Sequence, residues 1–482
     1  MIRMVSRSRR AVLVLAAAIT LLAGACTRSS SDVEVSAGGS SNSGGAASAT
    51  GGSAESGGSG GSEGSGSTGT TEAKSTDRLD NGSFGDLKDV CQDGKPSGSP
   101  DKGVTDSEIN VGTVSDKGST IRPGLTKEMW DTAVAFTKWC NVQGGINGRK
   151  LNLTDLDAKL MEYPSAVTKG CQTDFAMVGG GAALDNGDGG ARVKCGLANI
   201  AGYAVSEEAR SGELQVFPVP ARNDRVLGGP WRVLNEIDPD AMKHVGFMTG
   251  DLQSIVVAKD QDKQYIDNLG GKTVYDQKYG VAGESNWRPF VEGMKEKGVE
   301  VFALTGEPSQ LVGVQKAMKT VGWYPKYTIQ QTNFYDSGFL AEGGPTAKNT
   351  FIRSIFWPTE LAKDNPAVQD YLELMKRYNP NGKKAQLGVQ GLSAWLLFAK
   401  AAKACGDDLT RDCLLQKAKV SKWTGGGLHA ETGPADNTMS KCFLMMRVDP
   451  KAFVYDKKMT DPNQDLYNCN PKNVGKVKPA EG

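Results

Sequence analysis

From residue 108 onward, the chain alternates short apolar runs with longer stretches whose apolar residues recur at helical spacing. This alternation is typical of βαβ units, in which crossover helices link neighbouring parallel strands. Strands are predicted at 109–114, 150–154, 175–178, 244–248, 273–275, 299–304, 327–329 and 350–356, with helices between them. The pattern therefore predicts an α/β protein with two Rossmann-like lobes on parallel sheets, joined by crossover hinge segments.

The N-terminal segment predicts export. A basic stretch precedes an apolar run at 11–23 that is short for a membrane span, which is the pattern of a signal peptide. Gly24 and Ala25 then precede Cys26 and resemble the lipobox of bacterial lipoproteins, although Ala23 stands where Leu is usual. We expect a signal peptide at 1–26 and acylation of Cys26; the alternative is an ordinary signal peptide with an incidental cysteine.

Residues 27–76 are dominated by Gly, Ser, Ala and Thr. Such a composition cannot bury enough apolar surface to offset the entropy of ordering, so it predicts a flexible tether. A coil of about 50 residues of this kind spans roughly 35 to 42 Å. Folding is expected from about Asp77, and the remaining length suffices for two lobes with their own cores.

The cysteines predict disulfides. Of nine cysteines, acylation of Cys26 leaves eight, an even number in an oxidising compartment, which favours disulfides over metal ligation or thiol catalysis. Eight cysteines allow on the order of 100 connectivities, but short separations in sequence favour some of them. The expected pairs are Cys171 with Cys195, Cys405 with Cys413, Cys91 with Cys140, and Cys442 with Cys469.

Composition excludes several functions. Lys and Arg number 56 against 55 Asp and Glu, so no global charge attracts nucleic acid. The protein is expected to be a monomer. His244 and His429 are the only histidines, which leaves little material for zinc sites or histidine-dependent triads. The chain lacks the Gly-x-Ser-x-Gly elbow, and its glycine-rich segments miss the spacing of phosphate-binding loops. We therefore expect no enzyme activity, no catalytic residue, no metal and no cofactor.

Residues 144–151, Gly-Gly-Ile-Asn-Gly-Arg-Lys-Leu, resemble a signature of type I periplasmic binding proteins, specifically their branched-chain amino-acid-binding branch. The resemblance extends over about 106–404 and includes 155–157, 178–179, 286–290, 295–301 and 310–322. It implies two lobes that close on a ligand in the cleft between them and present it to a membrane permease. The expected boundaries are 77–218 with 351–428 for lobe 1, and 219–350 with 429–482 for lobe 2 and a C-terminal extension.

Candidate ligand-binding residues follow predicted strands, because open parallel sheets bind ligands at the carboxyl ends of their strands. Gly180 and Gly181 offer backbone N–H groups, or form a tight turn. Tyr203 offers a ring and a hydroxyl, or packs between the lobes. The other candidates, which a role in the loops would also explain, are Ser119, Thr120, Ala201, Gln253, Thr305, Gln331 and Asn333.

The sequence departs from the amino-acid-binding pattern. Where those proteins have a Ser-rich loop for the ligand carboxylate, this chain has Gly179-Gly-Gly-Ala-Ala183, and no acid follows Gln331 until Asp336. A buried zwitterion would lack a partner, which is costly. The resemblance therefore predicts an ABC importer component, lipid-anchored to the outer face of the bacterial cell membrane, that binds a small molecule other than a plain amino acid. The alternative is a sensing or partner-binding lipoprotein with the same fold.

Overall fold

A computed structural model of the chain describes residues 75–479. Residues 70–482 form one compact unit. The predicted signal peptide, Cys26 and the predicted tether up to residue 74 lie outside the described residues. Between residues 75 and 479, no helix is both long and apolar enough to cross a membrane.

The described residues form fifteen strands, of which eight lie close to the predicted ranges. They are β1 Glu108–Ser115, β2 Lys150–Asp157, β3 Ala176–Val178, β4 Ala198–Ile200, β5 Gln215–Val216, β6 Arg225–Leu227, β7 Val245–Gly250, β8 Thr273–Tyr279, β9 Val301–Thr305, β10 Tyr327–Gln330, β11 Thr350–Ser354, β12 Cys442–Asp449, β13 Ala452–Tyr455, β14 Asn468–Cys469 and β15 Val474–Lys476.

The strands form two main sheets. Lobe 1 contains a five-stranded sheet in the order β2-β1-β3-β4-β5, in which all neighbours are parallel. Lobe 2 contains an eight-stranded sheet in the order β13-β12-β11-β10-β9-β7-β8, with β14 also paired to β12. Its strands β7 to β11 are parallel to one another. Strand β12 is antiparallel to both of its neighbours, β11 and β13, and a tight turn joins β12 to β13 as a hairpin. The predicted two-lobed α/β fold with parallel sheets is confirmed.

Helices cover the sheets. They are α1 Ser75–Asp80, α2 Lys127–Val142, α3 Tyr163–Thr173, α4 Asp188–Lys194, α5 Glu207–Ser211, α6 Gly229–Ile237, α7 Gln253–Asn268, α8 Arg288–Glu296, α9 Pro308–Val321, α10 Ser337–Gly343, α11 Pro366–Tyr378, α12 Gln386–Cys405, α13 Arg411–Ala418 and α14 Lys457–Thr460. Local sequence explains several boundaries. The side chain of Asn365 accepts a hydrogen bond from the N–H of Val368 and caps α11, and Gly322, at φ +69°, ends α9 in the left-handed conformation.

The core of lobe 1 is built around α12. Its residues from Gln386 to Ala399 are all buried, and its long apolar run packs against α2. The Trp395 ring lies 5.2 Å from that of Phe136, which in turn lies 5.5 Å from Trp139. These aromatic contacts join a helix from late in the chain to one that follows the first strand, so lobe 1 closes only after the chain has passed through lobe 2.

Three segments cross between the lobes. They follow β5, β11 and α13, and lie at 217–224, 355–365 and 419–441. The predicted boundary placed 351–428 in lobe 1, but β11 pairs with β10 and β12 in the sheet of lobe 2, so the chain leaves lobe 2 only after Ser354. The C-terminal strand β15 pairs with β6 directly beside the first crossing segment.

Four disulfides join the cysteine pairs predicted from sequence separation: Cys91–Cys140, Cys171–Cys195, Cys405–Cys413 and Cys442–Cys469. Each joins residues within one lobe, so none of them restrains the movement of one lobe against the other. The N-terminal helix α1 is held to lobe 1 by a buried ion pair, in which Arg78 Nε lies 2.8 Å from Asp370 Oδ2.

Candidate ligand-binding site

Both sheets reverse their strand order at the same relative place. β1 lies between β2 and β3, and β7 lies between β8 and β9. In open parallel sheets, the loops at the carboxyl ends of strands diverge at such a reversal and leave a crevice where ligands bind. The loops after β1, β3, β7 and β9 all contribute to the wall of one cavity between the lobes.

This cavity has a volume of about 650 Å³, within the range of roughly 300 to 1,000 Å³ typical of small-molecule sites. All three crossing segments contribute to it, through Val219, Ile355 and Thr432 among others. Any movement of the lobes about these segments therefore changes the shape of the cavity. Its volume would hold a solute of drug size rather than only a single small ion.

Direct hydrogen bonds join the two lobes around the cavity. The hydroxyl of Ser254 at the start of α7 donates to the carbonyl of Ala183, at 2.9 Å. Arg122 in the loop after β1 donates from Nη2 to the hydroxyl of Ser309 in α9. These contacts connect the loops at the strand ends of the two lobes, so the structure represents a closed arrangement.

A buried charge cluster forms one part of the wall. Lys383 Nζ lies 3.1 Å from Glu128 Oε2 and 2.8 Å from Asp336 Oδ2. Burial raises the pKa of Glu128, while Lys383 opposes that shift. Burial also acts to lower the pKa of Lys383, but the two carboxylates hold it above its ordinary value. Lys383 bridges two carboxylates, so its ammonium is not free to bind a ligand anion, and the cluster has one more acidic than basic group.

Glu307 lies in the loop between β9 and α9 and lines the cavity without an ion-pair partner among the described residues. Burial raises its pKa to about 7, against the attraction of Arg122, and Glu128 adds to the rise. The carboxyl group is therefore about half protonated at neutral pH. It is able to donate a hydrogen bond as well as accept one.

Arg210 and Tyr203 form a polar corner of the cavity. Arg210 donates from Nη1 to Gln261 Oε1 at 3.0 Å, across the two lobes. Its Nε is buried and has no hydrogen-bond partner, and burial lowers the pKa of this guanidinium, against the influence of the Tyr203 oxygen. Burial raises the pKa of Tyr203 to about 12, so its hydroxyl is neutral and able to donate. This corner can bind a hydrogen-bond acceptor that carries negative charge.

Four of the ten predicted ligand-binding residues line the cavity: Tyr203, Thr305, Gln331 and Asn333. The side-chain amide of Asn333 donates to the carbonyl of Gly306 at 3.0 Å, so this residue shapes the loop that carries Glu307. The carbonyl of Thr305 accepts a hydrogen bond from the Tyr279 hydroxyl at 3.0 Å. The structure therefore brings together candidates that are up to about 130 residues apart in sequence.

The other six predicted residues lie outside the cavity wall. Ser119 is buried, and its hydroxyl accepts a hydrogen bond from the N–H of Arg122 at 3.0 Å, so it shapes a turn. Thr120 and Gln253 are exposed to solvent. Gly180, Gly181 and Ala201 lie beside a much smaller crevice, of about 10 Å³, behind Tyr203.

Packing explains the glycines at 179–181 better than anion binding does. The N–H groups of Gly179 and Gly181 donate to the carbonyls of Ile200 and Val114, and that of Ala183 donates to an Asp116 carboxylate oxygen at 2.7 Å. A Cβ atom at Gly180 would lie 2.4 Å from the Val114 carbonyl oxygen. The segment is a turn pressed against β1, and the N–H donors of Gly179, Gly181 and Ala183 are already occupied.

Sequence reasoning missed the charged residues of the cavity. Arg122 and Glu307 lie in loops that follow predicted strands, but the predicted ligand-binding residues in these loops were all neutral. Arg210 and Lys383 follow no predicted strand, and no local pattern distinguishes them from surface residues. Only the packing of α5 and of the loop before α12 brings them to the cavity.

A serine and a histidine do meet in lobe 1, but outside the cavity. Ser393 Oγ lies 2.8 Å from His429 Nε2, and both residues are buried. The other ring nitrogen of His429 lies 2.8 Å from the Ala430 carbonyl, so no carboxylate orients the ring. This pair is part of the packed interior. Among residues 75–479, no cluster of His, Cys, Asp and Glu has the arrangement of a metal site.

The geometry is that of a two-lobed α/β protein with a cavity between its lobes, and comparisons with known proteins agree with this fold. Residues 239–453 match the family described as periplasmic binding protein. No curated protein matches the sequence. The resemblance predicted from the sequence is confirmed, and the chain has the fold of type I periplasmic binding proteins.

Three solved structures illustrate the likeness. A fatty acid ABC transporter substrate-binding protein from Thermomonospora curvata is 17% identical, with a TM-score of 0.63 over 74% of this chain and 93% of that one. A branched-chain amino acid transporter substrate-binding protein from Streptococcus pneumoniae, in complex with isoleucine, is 18% identical, with a TM-score of 0.59 over 73% and 99%. An ABC transporter solute-binding protein from Rhodopseudomonas palustris BisB5, in complex with 3,4-dihydroxybenzoic acid, is 15% identical, with a TM-score of 0.59 over 72% and 96%.

Proposed function

We propose that the protein is the extracytoplasmic solute-binding component of an ABC importer and binds a small molecule in the cavity between its lobes. The observation that carries the proposal is the cavity of about 650 Å³, to which both lobes and all three crossing segments contribute. A ligand that contacts both lobes stabilises the closed arrangement relative to the open one, in proportion to its difference in affinity for the two. The closed form would then be the one that a permease recognises, without any chemical step.

The proposed location depends on the N-terminal segment. Acylation of Cys26 would anchor the protein to the outer face of the cell membrane, and the Gly- and Ser-rich tether would let the binding unit reach a permease. Four disulfides in the structure are consistent with an oxidising compartment. The lobe boundaries that we propose follow the crossings after Val216, Ser354 and Ala418.

A plain amino acid is disfavoured as the ligand. For the ligand ammonium, the sequence offers no acid close to Gln331, but Glu307 lines the same cavity. The stronger reason concerns the ligand carboxylate, because the backbone donors at Gly179, Gly181 and Ala183 are occupied within the protein. The loop at 179–183 therefore offers no ready cradle of N–H groups for an α-carboxylate.

Binding is tested by thermal unfolding of the full chain against amino acids, amides, aromatic acids, sugars and short fatty acids. A ligand at 100 times its Kd stabilises the folded state by about 2.7 kcal/mol. Tyr203→Ala, in the cavity, should lose the shift in midpoint, and Thr120→Ala, a predicted residue outside the cavity, should keep it. A shift that survives Tyr203→Ala would place the ligand elsewhere and contradict the proposal.

The importer role needs a separate test. Cells that lack the protein should lose uptake of the labelled ligand that stabilises it, and a plasmid copy should restore uptake. If the ligand binds in the cavity but uptake does not depend on the protein, the sensing or partner-binding alternative is favoured instead.

A further inference from the structure

Arg210 is a partly buried cavity residue that forms no direct ion pair among the described residues. Its guanidinium donates to the neutral side chain of Gln261, while the carboxylates of Asp185 and Glu207 act on it only through their electrostatic attraction. The nearby Asp185 carboxylate instead accepts hydrogen bonds from the N–H groups of Val205 and Ser206, at 2.7 and 2.8 Å. The Nε of Arg210 is buried without any partner.

A buried cation without a direct ion pair is costly, and proteins usually pair such groups with an acid or accept the cost for a function. Gln261 is held in a fixed orientation, because its amide nitrogen donates to the carbonyls of Arg222, Asn223 and Arg225, at 2.7 to 3.2 Å. Its oxygen is thereby directed at Arg210 and restrains the guanidinium beside the cavity. The arrangement positions a cation and leaves its remaining donors unused.

Several other charged side chains along the cavity wall are paired, whereas Arg122, among the described residues, donates only to the neutral hydroxyl of Ser309. Arg353 pairs with Asp262 through two hydrogen bonds of 2.8 and 2.7 Å, and Arg222 pairs with Asp224. Glu128, Asp336 and Lys383 form the cluster described above. Glu307 favours its neutral form up to about pH 7, so it is a poor partner for a ligand ammonium and a suitable hydrogen-bond donor to an anion.

The rest of the wall is largely apolar. Leu125 from lobe 1, Leu252, Ile255, Val281 and Phe339 from lobe 2, and Ile355 from a crossing segment face the space beside the polar corner. Burial of ligand surface against such side chains contributes roughly 25 cal/mol per Å². An apolar body is therefore complementary to most of the cavity, and a single anionic group is complementary to the corner.

We propose, on the basis of the function proposed above, that the ligand is a carboxylic acid with an apolar body, whose carboxylate binds Arg210 and the hydroxyl of Tyr203. A straight-chain acid and an aromatic acid share this chemistry. The ligand carries no ammonium group next to its carboxylate, which separates it from an amino acid.

The test measures binding of matched probes to the full chain by titration calorimetry at pH 7. The probes are octanoate, octanamide, octylamine, 2-aminooctanoate and 3,4-dihydroxybenzoate. We expect a carboxylate to bind at least about 10-fold more tightly than its amide, since hydrogen bonds to charged groups contribute about 1.5 to 3 kcal/mol. The difference in affinity between octanoate and 3,4-dihydroxybenzoate distinguishes a straight-chain from an aromatic ligand.

Two variants locate the carboxylate. Arg210→Gln should weaken carboxylate binding by about 10- to 100-fold, whereas Arg288→Gln, at a 62% exposed arginine of α8 outside the cavity, should change it less than about 3-fold. Because Arg210→Gln removes a partly buried charge that has no direct ion pair, the melting temperature of the ligand-free variant should not fall. That result would distinguish a ligand-binding role from a structural one.

Equal affinity for octanoate and octanamide, or carboxylate binding that is unchanged in Arg210→Gln, would overturn the inference. A panel member of another class that binds in a Tyr203-dependent manner would also overturn it, but would leave the proposed solute-binding function standing. If no solute binds to well-folded protein, the proposed function and the inference both fail.

Discussion

His429 provides a test of the structure through the pH dependence of stability. The Ala430 carbonyl can only accept, so Nδ1 of His429 carries the proton, and Nε2 accepts from the Ser393 hydroxyl at 2.8 Å. The Ser393 oxygen in turn accepts from Trp423 Nε1 at 2.9 Å. Every group is satisfied while the imidazole is neutral. A second proton on His429 would turn Nε2 into a donor, and the Ser393 hydroxyl would lose the acceptor of its own proton.

Burial lowers the pKa of His429 to about 4, from its ordinary value of 6.5, although the bond to Ala430 opposes the shift. Between these two pH values, the unfolded chain binds a proton that the folded protein does not. The free energy of unfolding therefore falls as the pH is lowered from 6.5 to 4, by about 3 kcal/mol in total from this residue. Below pH 4 the folded protein also binds the proton, and the loss stops.

The perturbation is His429→Gln, compared with the unsubstituted chain by urea unfolding between pH 4 and 7. The variant should be less stable at pH 7, but its disadvantage should shrink by about 3 kcal/mol by pH 4. Parallel profiles for His429→Gln and the unsubstituted chain would refute the reasoning.

Three further predictions concern stability. Arg78→Met leaves the carboxylate of Asp370 buried and unpaired and should cost about 3 to 5 kcal/mol in urea unfolding; a loss below about 1 kcal/mol would show that the pair is solvated. Since the folded pKa of Glu307 is raised to about 7, stability from this group is lost as the pH rises from 4.5 through 7. The free energy of unfolding of Glu307→Gln, relative to that of the unsubstituted chain, should therefore rise by about 2 kcal/mol between pH 5 and 8. If the difference between the two free energies does not change with pH, the burial of Glu307 is contradicted. Gly180→Ala places a Cβ against the backbone of β1 and should lower the melting temperature, whereas Gly190→Ala, with open space around it, should not.

Much of the fold was predictable because the signals that specify it are local. The apolar run at 109–114 became β1, Glu108–Ser115, and the helix expected between the first two strands became α2, Lys127–Val142. Strand identity depends on side chains that are buried on both faces, and these are visible in sequence as continuous apolar runs. The hairpin of β12 and β13 was not predicted, since its strands lie in the C-terminal extension, beyond the repeating βαβ pattern.

The candidate site was less predictable, for a geometric reason. Tyr203 and Thr305 follow strands, and the rule that ligands bind at strand ends selects them. The same rule selects Gly181, which faces away from the cavity because the loop turns against β1. Whether a loop residue faces the cavity depends on the conformation of the loop, which strand periodicity does not encode.

The sequence by itself determined the α/β class and the order of the repeating βαβ elements, and it favoured the pairing of Cys171 with Cys195 and of Cys405 with Cys413. Each of these depends on residue type and on short separations along the chain. Only the tertiary structure decided that β11 belongs to lobe 2 and that Arg210, Glu307 and Lys383 meet in one cavity. These residues come from different lobes and from distant parts of the chain, so their meeting depends on how two sheets and three crossing segments pack. Their charges then acquire a specific role only because burial makes an uncompensated ion costly.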